Sequence, residues 1–390
     1  MSSPERSLPV LLCLSHLRWD FVFQRPQHLM SRATATFRVV VFEEPLAAAS
    51  GGPRLQTRMA PEGVLVATPM LPAGLDPEAA DAAQRSLLDG LLAELAAPLA
   101  VAWYYTPMAL PVAGHLRPAV TVFDSMDELS AFRGASPRLL LLERRLLRQA
   151  DLVFTGGRSL HEAKRRLHSQ VHLFPSSVDV SHFGAARADP PLAEPADQQG
   201  IAAPRIGFFG VVDERMDLDL LAGVAARRPD WQVVMLGPIA KIDPAILPRG
   251  PNLHWLGMKS YAELPAYLAG WNAGFMPFAL NEATRFISPT KTPEFLAAGT
   301  PVVSTSVPDV VSDWGGKDGL VTVADGPEAV VAALEAVLAR PRQPWLSRVD
   351  RRLDRLSWSS TWAQMRSLIE DAASGIPSRP AASAEAPERA

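Results

Sequence analysis

Cysteine is nearly missing: Cys13 stands alone among 390 residues, so no internal disulfide can form. It lies in the apolar run Val10–Leu14 and reads as a small buried hydrophobe, compatible with a reducing compartment. Charge of one sign is missing too. The 38 Lys and Arg balance 41 Asp and Glu to a net −3, which gives no general attraction for nucleic acid, and none is expected as a partner. No apolar run is long enough to span a bilayer. The stretch 7–15 is too short for a signal peptide, lacks a small-residue cleavage site and reads as a strand, so a cytoplasmic protein is expected. The eight histidines are scattered, so no metal site and no cofactor are expected.

What is present is apolar bulk and proline. Nearly half the chain (48%) is hydrophobic, enough for two cores, and 36 prolines gather in loops and in one linker. Short apolar runs at Val10–Leu14, Arg38–Phe42, Val64–Ala67, Val101–Tyr105, Val120–Phe123, Leu152–Thr155 and Val171–Phe174 read as strands. Helical patterns separate several of them, most clearly Asp76–Leu95 and Pro137–Gln149. Strands apolar on both faces and separated by helices predict parallel sheets covered on both sides. A linker poor in apolar residues follows, and the alternation restarts at Arg205 with a helix expected at Pro293–Ala298. The expected division is an N-terminal lobe over 1–183, a linker over 184–203, a C-terminal lobe over 204–345, one terminal helix over 346–373 and a disordered tail over 374–390.

The segment richest in chemistry is Phe278–Val303, which contains Ser288-Pro-Thr-Lys-Thr-Pro-Glu294. Turn residues with free N–H groups and a lysine stand there at a predicted helix start, an arrangement that attracts phosphate. Glu294 follows, where a carboxylate can accept hydrogen bonds from a ribose diol. The plainer reading is a threonine cap, a solvated Lys291 and a surface Glu294.

With Phe295-Leu-Ala-Ala-Gly-Thr-Pro-Val-Val303, the segment resembles the donor-site motif of bacterial group 1 (family 4) glycosyltransferases. Gly207-Phe-Phe-Gly-Val-Val-Asp-Glu-Arg215 and Trp255-Leu-Gly-Met-Lys-Ser-Tyr261 resemble two further donor-lobe segments. The opening Ser15–Leu29 looks like a subgroup from teichuronic-acid and other envelope-polysaccharide pathways. The resemblance implies a GT-B fold: two Rossmann-like parallel-sheet lobes facing a central cleft, with the C-terminal helix crossing back to the N-terminal lobe. It implies metal-independent transfer, with retention, from a nucleotide sugar (UDP-linked by expectation) to a saccharide or lipid-linked acceptor.

On that reading Lys291 and Arg215 neutralise the diphosphate, and Gly210, Ser288, Pro289 and Thr290 line it. Gly257, Met258 and Lys259 hold the base, and Glu294 the ribose. The family has a second glutamate eight positions before Glu294, but Phe286 stands there. Glu282 replaces it, or nothing does. In the N-terminal lobe His16, Trp19 and Arg25 are candidates for the acceptor, and Asp124 or Asp127 for hydroxyl binding or proton abstraction. The alternatives are that Trp19 packs the lobe, that Asp124 caps a helix and that Arg215 pairs with Asp213 or Asp217. Residues 133–167 carry nine basic side chains against three acidic ones, which suggests peripheral contact with anionic lipid or simply a solvated helix. Two further functions share this architecture: a nucleotide-sugar epimerase and a non-catalytic nucleotide-sugar-binding protein.

Overall fold

The computed structural model describes residues 8–315 and 319–375; the expected tail lies, beyond Gly375, outside them. The N-terminal sheet contains β1 (Val10–Ser15), β2 (Arg38–Glu43), β3 (Leu46–Ala48), β4 (Arg54–Met59), β5 (Leu65–Pro72), β6 (Leu99–Tyr104), β7 (Val120–Ser125), β8 (Leu152–Thr155) and β9 (Val171–Leu173). Its order is β3-β5-β2-β1-β6-β7-β8-β9, parallel throughout except that β4 pairs antiparallel with β5. Period-two alternation divides the strands between two cores. Leu11, Cys13, Val39, Val41 and Trp103 face one side, and Val10, Leu12, Leu14, Val40 and Tyr104 the other.

The second sheet contains β10 (Arg205–Phe209), β11 (Gln232–Leu236), β12 (Leu253–Gly257), β13 (Ala273–Met276), β14 (Val302–Ser304) and β15 (Val321–Val323). Its order is β12-β11-β10-β13-β14-β15, all parallel. In each lobe the order reverses beside the first strand, between β1 and β6 and between β10 and β13. Loops leaving the strand ends there diverge and open a crevice.

The strands expected from sequence are present, while β3, β4 and β15 were not foreseen. The sequence of β4, Arg-Leu-Gln-Thr-Arg-Met, is mostly exposed, and β15 is only three residues, so neither leaves an apolar run. The single terminal helix expected over 346–373 is two. The helix Arg342–Leu353 buries Trp345, Val349 and Leu353 in the C-terminal core. The helix Trp358–Ala373 buries Trp358, Trp362, Met365 and Ile369 against the N-terminal sheet. The chain crosses between lobes at 354–357, where Ser357 caps the new helix by accepting the Ser360 N–H.

Candidate functional site

A cavity of about 340 Å³ lies between the lobes, walled by the loops that leave the C-terminal ends of β1, β7, β10, β11 and β13. A narrower pocket of about 50 Å³ adjoins it; Val22, Thr290 and Lys291 line both. The lobes touch around these spaces. The Ser176 hydroxyl donates to the Ser288 carbonyl at 3.0 Å. The Ser159 N–H donates to Asp309 at 3.0 Å, Arg158 pairs with Asp313, and Phe23 stacks on Tyr261 at 4.6 Å.

The helix of the main motif spans Lys291–Ala297, two residues earlier than expected. Pro293 is its third residue, where no intrahelical N–H is needed, so proline does not delay the start. Lys291 is therefore the first helical residue, at the junction of both spaces. Its ammonium donates to the Thr290 hydroxyl at 3.3 Å and has no ion-pair partner among the described residues. Burial lowers its pKa, against the pull of Glu294. The N–H groups of Ser288, Thr290 and Lys291 meet no acceptor among the described residues. A half-buried cation beside open N–H donors calls for an anion.

Two glycines make the room. At Gly210 (φ +141°) a Cβ would sit 2.6 Å from Lys291 Cε, and at Gly237 (φ +135°) one would sit 1.8 Å from the Gly210 carbonyl oxygen. Only glycine lets the two loops and the lysine pass this closely.

Glu294 is 6% exposed, not the surface residue of the plainer reading. Burial raises its pKa to about 7, against the attraction of Lys291. It shares the narrower pocket with Phe209, Pro238, Met258 and Tyr261, an apolar slot with one carboxylate. Gly257, in left-handed conformation (φ +72°), accepts the Gly237 N–H and turns Met258 toward that slot. Lys259 lines the slot as well, but its ammonium is held by Asp197 of the linker at 2.6 Å, which neutralises its charge.

Other expectations need correction. Arg215 lines the cavity, but its fork lies against Asp213 (2.7–3.1 Å), leaving little net charge at that corner. Asp124 is fully buried and bonded to both Nε and Nη2 of Arg25 at 2.9 Å. A carboxylate held this way cannot take a substrate proton. Arg25 is consumed by the same pair and by the Phe174 carbonyl, although it reaches the cavity wall. Trp19 packs in the lobe core, with its N–H on Glu43 and its carbonyl on Gln27, and does not line the cavity. His16 does line it; burial and Lys241 lower its pKa to about 4, so the ring is neutral. Glu282 pairs with Arg285 at 3.7 Å on the exposed surface, 75% accessible, and lines neither space.

The carboxylates that line the larger cavity are Asp127 and Asp213. Asp213 is held by Arg215, whereas the Asp127 side chain has no hydrogen-bond or ion-pair partner among the described residues. Burial raises the pKa of Asp127, while Arg215 draws it down. Two residues separate it from Asp124 on the loop after β7, and that offset decides which carboxylate reaches the cavity. Lys241 and Phe132 are further lining residues not foreseen, the ammonium lying 5.3 Å from the ring. The signal for Lys241 was its place just after β11, at the sheet edge that borders the crevice.

Residues 203–340 match the family described as glycosyl transferases group 1. A Bacillus subtilis (strain 168) protein bearing the name of a teichuronic acid biosynthesis glycosyltransferase, TuaH, is 27% identical over 231 residues. That alignment covers 57% of each chain, so the chain spans a little over half the length of this curated relative. Sucrose-phosphate synthase of Thermosynechococcus elongatus superposes with a TM-score of 0.67 at 17% identity, covering 94% of this chain and all (100%) of that one. The Anabaena protein HepE, in complex with UDP and glucose, gives 0.66 at 13% identity, covering 93% of this chain and 100% of its own. The second lobe is thus similar to the group 1 glycosyltransferases, and the two-lobed GT-B fold extends over nearly the whole length of the chain.

Proposed function

We propose that the protein transfers a sugar from a nucleoside diphosphate donor to a hydroxyl acceptor in the interlobe cavity. The carrying observation is Lys291: a cleft ammonium without a carboxylate partner, beside open backbone N–H groups. A diphosphate leaving group supplies the missing anion, and the positive charge stabilises it as the glycosidic bond breaks. Arg215 assists only in part, because Asp213 already neutralises it. The base enters the slot at Gly257 and Met258, and Glu294 accepts hydrogen bonds from the ribose. A UDP-linked donor is the first choice; the superposed Anabaena protein was captured with UDP and glucose.

His16 and Asp127 face the acceptor half of the cavity. Asp127 is the group that can accept a hydrogen bond from, or take the proton of, the attacking hydroxyl. Transfer proceeds without a metal and with retention, Lys291 taking the place of a divalent cation at the diphosphate. The acceptor is a saccharide, free or lipid-linked, of an envelope polysaccharide, in keeping with the name of the Bacillus relative.

Calorimetric titration of UDP into the native protein and Lys291→Ala tests the carrying observation. Binding falls at least about tenfold in the variant, the worth of one charge-assisted contact. Equal affinity would remove Lys291 from the site. Incubation with the UDP sugar alone separates an alternative, since an isomerised sugar without any acceptor marks an epimerase.

A further inference from the structure

The basic segment 133–167 becomes much narrower once its partners are known. Of its nine cations, Arg133 pairs with Glu214 at 3.6 Å, Arg138 with Asp81 at 2.6 Å and Arg165 with Glu162 at 2.7 Å. Arg158 pairs with Asp313, and Lys164 lies between Glu128 and Glu143 at 2.7 and 2.6 Å. Arg144, Arg145, Arg148 and Arg166 remain, exposed and with no hydrogen bond or ion pair among the described residues. Glu143, the carboxylate next to Arg144, is already bonded to Lys164.

The leucines sort in the same way. Leu139, Leu142, Leu146 and Leu147 of the helix Pro137–Gln149 are buried in the lobe. Leu140 and Leu141 are 49% and 59% exposed on the opposite face, one turn before Arg144 and Arg145. Leu167, 62% exposed, follows Arg166 at the end of the neighbouring helix, which Lys164 ties to this one through Glu143. Adjacent exposed leucines cost solvation unless something apolar covers them, and unpaired arginines seek anions.

We propose that this face, formed by Leu140, Leu141, Leu167 and the four unpaired arginines, docks on an anionic lipid surface. Leucines enter the interfacial region while the guanidinium groups contact lipid phosphates. A nucleic acid would leave the leucines unexplained, and a second copy pairing face to face would set arginine against arginine. The helix begins just after Phe132–Ala135, which line the interlobe cavity, so its N-terminal end adjoins that cavity. The docking itself does not depend on the sugar-transfer reading. It deepens that reading by giving a lipid-linked acceptor a short path to the cavity.

Flotation with phosphatidylcholine vesicles, pure or with roughly a third phosphatidylglycerol, tests the proposal without any nucleotide. The native protein floats with the anionic vesicles and not with the neutral ones. Binding falls at least about tenfold in R144E/R148E, since each basic residue near such a surface is worth about 1 kcal/mol. It also falls in L140S/L141S, and is unchanged in Lys291→Ala and in R351E, an exposed arginine of the other lobe. No flotation with anionic vesicles, or equal loss in R351E, overturns the proposal. So does a native dimer that L140S/L141S disperses, or a DNA duplex that binds with the same dependence on the arginines and leucines.

Discussion

Two carboxylates carry the most specific consequences at the residue scale. Glu294 has a folded pKa of about 7 against an ordinary 4.5, so the folded state holds its proton more tightly than the unfolded chain. The stability this gives is full below the unfolded value and is lost as pH rises through about 7. Glu294→Gln has no such proton to lose. Its melting temperature should draw ahead of the native protein between about pH 5 and pH 8, by an amount corresponding to at most about 3 kcal/mol. Parallel pH curves would show that Glu294 is not desolvated as its burial implies. Asp127 has a different signature. Asp127→Asn should leave UDP affinity within about twofold and lower kcat by about a hundredfold or more, the usual worth of a positioned base. Asp124→Asn should instead lower thermal stability, because it leaves Arg25 buried with half its ion pair.

The helix Trp358–Ala373 is the element whose role departs most from its position in sequence. It is the last element described, yet its tryptophans belong to the first lobe's core. Trp362→Ala should cost about 3–5 kcal/mol, as truncation of a buried aromatic does, and lower the melting temperature of the N-terminal lobe first. Differential hydrogen exchange would locate the loss; protection lost first in β10–β15 would contradict the packing. The helix Lys291–Ala297 gives the complementary lesson. Its motif was legible, but its start was not, because proline is neutral within the first helical turn and marks no boundary there.

At the scale of the whole molecule, the site exists only between lobes. Phe23 and Val22 reach the same pocket as Gly237, Met258 and Glu294, and Asp127 comes from across the cavity toward Lys291. If protein cations serve the diphosphate, transfer from a UDP sugar should persist in excess EDTA. A loss of activity that added divalent ions restore would refute the metal-free proposal.

The sequence by itself determined the class of fold and the place of the 288–303 motif. Apolar runs at strand length, separated by helices and restarting after a linker, allow little besides two parallel sheets, and the 288–303 stretch sits at the end of a strand in one of them. Such signals are local, carried by periodicity and by neighbours in the chain. Tertiary structure decided which charges remain available. Arg215 has Asp213 two residues before it and Lys291 has Glu294 three residues after it, yet only the fold shows that the first cation is ion-paired and the second is not. It likewise gave Asp124 to Arg25, ninety-nine residues distant, and left Asp127 facing the cavity. Pairing across such separations depends on where the sheets bring loops together, and no spacing in the chain records it.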